Sequence, residues 1–187
     1  MDMVYKDFSD KELVAIVLSN KEAFSEVIYR YEAALRRYIV RLGVRDKRDV
    51  EDILQNSFIK IYRYLYSFDD SFAFSSWVYR IVHNETYDFF RAKKRKPEIT
   101  VGEESQHLFL AIEAEDNPEQ VFDTSIDVKR ITSALEALDK KYRDVLLLRY
   151  AEDKDYRQIS DILQIPEGSV ATLIHRGKKE LRKLFEK

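Results

Sequence analysis

Apolar residues recur every three or four positions along most of the chain. Phe24, Val27, Ile28, Tyr31, Leu35, Tyr38, Ile39 and Leu42 keep that interval, which places them on one face of a helix. The spacing predicts helices over residues 11–18, 21–42, 48–67 and 76–94. Ser9 or Asp10 can cap the first, Asn20 the second and Ser75 the fourth. Gly43 stands where a left-handed C-terminal stop belongs. In the third helix Val50, Leu54, Ser57, Phe58, Ile61 and Leu65 form the inward face, and Asp52, Gln55, Asn56 and Lys60 fall on another side. In the fourth, Trp77, Ile81, Tyr87, Asp88, Phe89 and Phe90 are expected partly inward. Between them FDDSFAF, residues 68–74, has no helical period and reads as a loop. Lys96-Pro97 ends the fourth helix, because a residue before proline is pushed out of the helical region.

The pattern then lapses. Residues 97–124 contain Pro118 and only a weak apolar patch from Leu108 to Ile112, and they read as a linker. Helical spacing returns over 126–138, 140–151, 156–163 and 167–185. Asp139 and Asp155 can cap two of these helices. Pro166-Glu167 opens the last, with proline at an early helical position as it prefers. The expected fold is all-α: an N-terminal helical bundle over 1–96, an acidic linker over 97–124, and a C-terminal helix-turn-helix domain over 125–187.

Composition agrees and narrows the field. A length of 187 residues leaves room for one ordinary domain or two small ones. With 45% hydrophobic and 35% charged residues, four Gly and three Pro, the chain is helical and water-compatible in character. Cysteine is absent, which excludes disulfides and thiolate metal sites and fits a reducing compartment. The histidines, at 83, 107 and 175, lie far apart without metal-ligand spacing, so neither a metal nor a cofactor is expected. No apolar run approaches a membrane span, and MDMVYKDFSDKE is too acidic for a signal peptide. A cytoplasmic protein with no membrane insertion is expected. The net charge of −2 conceals an uneven distribution: from Pro97 to Val128 there are nine acidic residues and no Lys or Arg. The acidic stretch offsets the basic character of what flanks it.

Two stretches carry chemistry. Asp52 to Lys96 opens on the polar residues Asp52, Gln55 and Asn56, passes eight aromatics between Tyr62 and Tyr79, and closes on Arg91, Lys93, Lys94, Arg95 and Lys96. Aromatics framed by cations suit unstacked nucleic acid, since every base has a face to stack on and every phosphate a charge to neutralise. The second stretch, YRQISDILQIPEGSVATLIHR from Tyr156 to Arg176, has the proportions of a helix-turn-helix. Ile159, Leu163, Ile165, Val170 and Leu173 would lock its two helices, with the small Ser160 at their crossing. The outer face carries Ser169, Thr172, His175, Arg176 and Lys179, and six Lys or Arg stand against two Glu from His175 to Lys187. Such a helix enters the major groove, its N-terminal residues on base edges and its flanks on phosphates. Gln164 fills the turn position usually held by Gly, so it must take a left-handed backbone or reshape the turn. A phosphate-binding Gly loop and a paired nucleophile and base are both missing, so an enzyme is not expected.

In order and separation the two stretches resemble an extracytoplasmic-function sigma factor of the sigma-70 family, across almost the whole chain. DVEDILQNSF is similar to the family's core-polymerase segment, FSSWVYRIVHNETYDFFRAKKRK to its −10 segment, and the last fifty or so residues to its promoter-binding domain. The resemblance implies region 2 over 1–96 and region 4 over 125–187. It implies a non-enzymatic protein that binds core RNA polymerase, directs it to promoter DNA and helps open the duplex, with an anti-sigma factor as a further partner. Asp52, Gln55 and Asn56 would face the clamp helices of the polymerase's largest subunit, Asn56 standing where the family usually has Glu. Phe72, Phe74, Trp77, Arg80, Asn84, Arg91 and Lys94 would handle the −10 element. Arg149, Tyr156, Gly168, Ser169, Thr172, His175, Arg176 and Lys179 would handle the −35 element, with Ala171 where Lys or Arg is common. The acidic stretch resembles, in placement, the segment that threads the polymerase's active-site and RNA-exit channel. The alternative is a stand-alone helix-turn-helix regulator, which would leave the aromatic loop and the Asp52 patch unused.

Overall fold

The computed structural model describes residues 5, 7–94, 97, 103–116 and 128–185, and every regular element among them is helical. The chain divides into two compact units, Met1–Val40 with Val44–Lys96, and Pro97–Lys187 with Arg41–Gly43.

The first unit holds α1 (Asp10–Ser19), α2 (Phe24–Arg41) but for its last residue, α3 (Lys47–Tyr64) and α4 (Phe74–Lys93). Ser9 and Glu12 form a reciprocal capping box at α1. Asn20 caps a 3₁₀ turn, Lys21–Ala23, that leads into α2. Asp46, which the sequence pattern did not single out, caps α3 by accepting from the amides of Arg48 and Asp49. Those bonds, the Arg48 amide first, hold its carboxyl below the ordinary Asp range. Gly43 has φ 108°, as a left-handed stop requires.

Helix α4 departs from the sequence expectation at its start and at Asp88. It begins at Phe74, with Ala73 at the N-cap and no side-chain cap bond, so Ser75 is not the cap. Burial decides the start: Phe74 is 4% exposed, with its ring centroid 5.8 Å from Tyr31, 5.3 Å from Phe68 and 5.7 Å from Trp77. Losing a cap costs about 1 kcal/mol, less than the ~1.5–3 kcal/mol gained by burying a Phe. The inward stripe is Phe74, Val78, Val82, Thr86 and Phe90 with Tyr79, His83 and Tyr87. Trp77, Ile81 and Phe89 are half-buried and Asp88 is exposed. His83 is buried with Nδ1 2.8 Å from the Tyr38 hydroxyl.

The second unit holds α5 (Glu103–Asp116), α6 (Val128–Ala137), α7 (Lys140–Leu146), α8 (Tyr156–Leu163) and α9 (Glu167–Phe185). Helix α7 runs on into one π-helical turn, Leu147–Ala151. Helix α5 lies inside the stretch expected to be a linker, and its Leu108, Phe109 and Ile112 are buried. Helix α9 packs on α6, α7 and α8. Gly177 makes that approach possible: a Cβ there would meet Tyr142 Cβ at 3.2 Å.

Candidate nucleic-acid interfaces

On α3 the periodicity separates two faces. Ile53, Leu54, Ser57 and Phe58 are buried, and Asp52, Gln55, Asn56 and Lys60 are exposed. Asp52, Gln55 and Asn56 stand at i, i+3 and i+4, so they share one surface. The charges beside them are used within the unit. Glu51 pairs with Arg36, whose guanidinium also reaches Glu32 at 2.7 Å. The Arg36 bond holds the Glu51 carboxyl below its usual range. Lys60 pairs with Glu85, which raises the lysine.

The loop between α3 and α4 is short and bonded to itself. Leu65–Ser67 forms a 3₁₀ turn, the Asp69 carboxylate accepts the Ser71 amide at 3.0 Å, and the Phe72 amide reaches Asp69 O at 3.2 Å. The Ser71 amide holds the Asp69 carboxyl low. Phe72 stands out at 43% exposure while Phe74 is turned into the core. Phe74, expected among the surface residues, is therefore a floor under the loop. Trp77 is half-buried between Phe68 and Phe74, its ring 5.3 and 5.7 Å from theirs. From Trp77 one stripe runs along α4 through Arg80, Asn84, Asp88 and Arg91, at helical intervals of three and four. Arg80 is half-buried, Asn84, Arg91 and Lys94 are exposed, and Arg91 pairs with Asp88. Lys93 is engaged elsewhere, with Asp49 and over the Phe89 ring at 4.8 Å. Arg95 and Lys96 lie outside the described residues.

In the second unit Asp155 and Gln158 form the capping box of α8. The turn is tied by Ser160, whose hydroxyl donates to Ile165 O at 2.6 Å. The fully buried residues at this joint are Ile159, Ile162, Val170 and Ile174, whereas Leu163, Ile165 and Leu173 are half-buried. Leu163 and Leu173 sit at the rim because a helical stripe is two residues wide and their neighbours Ile162 and Ile174 turn in, while Ile165 stands in the turn itself. Gly168, Thr172, His175, Arg176 and Lys179 are exposed and Ser169 is half-buried. Arg149 lies over the Tyr156 ring at 5.8 Å, and the two line an open groove of about 410 Å³ with Asp155, Arg157 and Glu167. Arg157 and Glu167 escaped sequence reading, since nothing in the apolar spacing marks a groove rim.

Gln164 takes the left-handed backbone, φ 56° and ψ 46°, and its side-chain Nε2 donates to Asp161 O at 2.8 Å. A left-handed non-glycine residue costs roughly 1–2 kcal/mol. Gln164→Gly is expected to raise the second unit's stability by about 0.5 kcal/mol, the strain relieved less the exposed bond lost and glycine's extra chain entropy. Urea denaturation followed by circular dichroism checks this, and an unchanged or lower midpoint would refute it.

Comparison with known proteins joins the two units under one family. Residues 27–96 match "Sigma-70 region 2" and residues 129–181 match "Sigma-70, region 4". The chain is 31% identical to the ECF RNA polymerase sigma factor SigW of Bacillus subtilis, over 98% of this chain and 97% of that protein. The chain belongs to the ECF sigma-factor family. A second sigma factor, the RNA polymerase sigma-H factor of Pseudomonas aeruginosa, is 29% identical over 95% of this chain and 94% of its own. The fold is shared with CnrH, solved with the cytosolic domain of CnrY: TM-score 0.68, 24% identity, 95% of this chain and 97% of that one. It is also shared with Bartonella quintana RpoE, solved with the anti-sigma factor NepR: TM-score 0.60, 21% identity, 87% and 96% covered. As a sigma factor the protein acts in promoter-directed transcription initiation. Sigma factors in general are not enzymes. Among the described residues no helix is long and apolar enough to cross a membrane.

Proposed function

We propose that this sigma factor divides its work by surface, with residues 1–96 acting as region 2 and 125–187 as region 4. Asp52, Gln55 and Asn56 dock on the clamp helices of core RNA polymerase, where acceptors on an exposed helix face pair with cationic donors. The 68–73 loop and the α4 stripe take the non-template strand of the −10 element. Phe72 offers a face for an unstacked base, Asn84 a donor and an acceptor for its edge, and Arg80, Arg91 and Lys94 charge for phosphates. Phe74 and Trp77 hold the loop in shape. On α9, Ser169, Thr172, His175 and Arg176 meet the −35 duplex in the major groove, while Arg149, Tyr156, Gly168 and Lys179 meet its backbone. The acidic linker enters the polymerase's active-site and RNA-exit channel. The protein works in the cytoplasm, catalyses nothing itself, and is held by an anti-sigma factor until needed.

One observation carries this reading: an exposed aromatic on a self-bonded loop beside a stripe of Arg80, Asn84 and Arg91. A regulator of intact duplex has no use for such a surface, because a base must be unstacked to reach it. Gel filtration with bacterial core RNA polymerase tests it. Co-elution is expected, with weak affinity for duplex DNA in the absence of polymerase. No co-elution together with tight duplex binding would replace it with the stand-alone regulator.

A further inference from the structure

Helix α5 is held by what it packs on rather than by its own sequence. Its last four residues read Glu113, Ala114, Glu115 and Asp116, with no basic residue in the last turn. Negative charge there opposes the helix dipole, whose C-terminal end is already negative. From Pro97 to Val128 no Lys or Arg is available to offset it. A helix of fourteen residues is marginal alone even with a favourable sequence. Among the described residues a narrow apolar seam and a polar clasp at Glu115 hold α5. Leu108, Phe109 and Ile112 are 4%, 4% and 0% exposed, and α5 packs on α6 and the π-helical turn of its own unit. The Phe109 ring lies 4.6 Å from that of Phe185. Glu115 meets the Tyr150 hydroxyl and lies 3.5 Å from Lys178 Nζ. Loosen that seam and the segment has little reason to remain helical.

We propose that α5 is a releasable clasp: docked on α6, the π-helical turn and α9 in the free protein, and undocked when core polymerase binds. This rests on the proposed function, in which the acidic stretch is drawn into the polymerase channel. A segment buried on the second unit through Leu108, Phe109 and Ile112 cannot be extended in a channel at the same time. Core polymerase therefore binds the released state, and docking lowers the fraction of protein able to receive it.

The chain has no native cysteine, so nitroxide labels on His107→Cys and Lys183→Cys, both exposed positions, report on the docking by pulsed electron spin resonance. The free protein is expected to give one narrow distance. With saturating core polymerase the distribution moves outward by more than about 15 Å, well within the reach of an extended tether at ~3.3 Å per residue. A labelled Phe109→Ala/Ile112→Ala variant is expected to show the long distances without polymerase and to bind core severalfold more tightly. Co-elution with core at an unchanged distance would overturn the clasp and leave the sigma-factor surfaces standing. Absence of co-elution would overturn the surfaces, and the clasp's role with them.

Discussion

Replacing Phe74 with alanine is expected to destabilise the first unit by about 3–5 kcal/mol, the range for truncating a buried aromatic. The same change at Phe72 should stay within about 0.5 kcal/mol of wild type, as surface substitutions do. Two positions apart, Phe72 ends the loop region and Phe74 opens α4, and Phe74 is 4% and Phe72 43% exposed. Phe74 touches Tyr31, Phe68 and Trp77, so its loss leaves a cavity bounded by three rings that cannot all close in. The single Trp of the chain is Trp77, so its fluorescence in urea reports this unit alone. The functional order is reversed among variants that fold. Phe72→Ala should weaken holoenzyme binding to a single strand carrying the −10 sequence roughly tenfold, since one base–aromatic stack is worth ~1–3 kcal/mol. Unchanged affinity in Phe72→Ala would remove that residue from the DNA surface. A Phe74→Ala protein as stable as wild type would show that the loop has no aromatic floor.

Residues whose role follows from local spacing were legible in the chain, and residues whose role depends on tertiary choice were not. The inward and outward faces of α3 could be read directly, because a strong 3.6-residue alternation leaves one solution. The caps Asn20, Asp139 and Asp155, and Ser9 as one of two candidates, were legible because a short polar side chain before an apolar run has few other uses. On helix α4 the inward leaning of Trp77, Ile81, Tyr87, Phe89 and Phe90 was legible, but the fully buried line through Phe74, Val78 and Val82 was not, because aromatics sit on both faces and nothing local says which ring turns inward. Phe74 shows the conflict: a loop-like sequence precedes it, and packing against Tyr31 from α2 draws it into the helix. Helix α5 escaped because two turns of apolar residues in an acidic stretch give almost no periodic signal, and its stability lies in contacts with residues as distant as Phe185. Gln164 was legible only as a pair of options, and the Ser160–Ile165 bond closed the choice in favour of the left-handed turn.

The largest effect on function is expected from Asp52→Ala/Gln55→Ala, on the affinity for core polymerase. Hydrogen bonds to charged groups contribute about 1.5–3 kcal/mol each, so losing one such bond and one neutral bond should weaken binding on the order of 100-fold. Both side chains are exposed in the free unit and their neighbours Glu51 and Lys60 are paired elsewhere, so the unit itself should keep its stability. That separates a lost contact from a lost fold: Trp77 fluorescence in urea should be superimposable on wild type. Salt provides a second discrimination. Exposed charge pairs are screened over about 8–10 Å at physiological ionic strength, so wild-type affinity should fall as salt rises and the variant's should fall less. Asn56→Glu works in the other direction. A third carboxylate or amide acceptor at i+4 from Asp52 becomes a second negative charge on the same surface, and the affinity for a cationic partner should rise severalfold at low salt. An Asp52→Ala/Gln55→Ala protein that binds core as wild type does, together with an Asn56→Glu protein that binds no better, would move the polymerase contact off this face of α3.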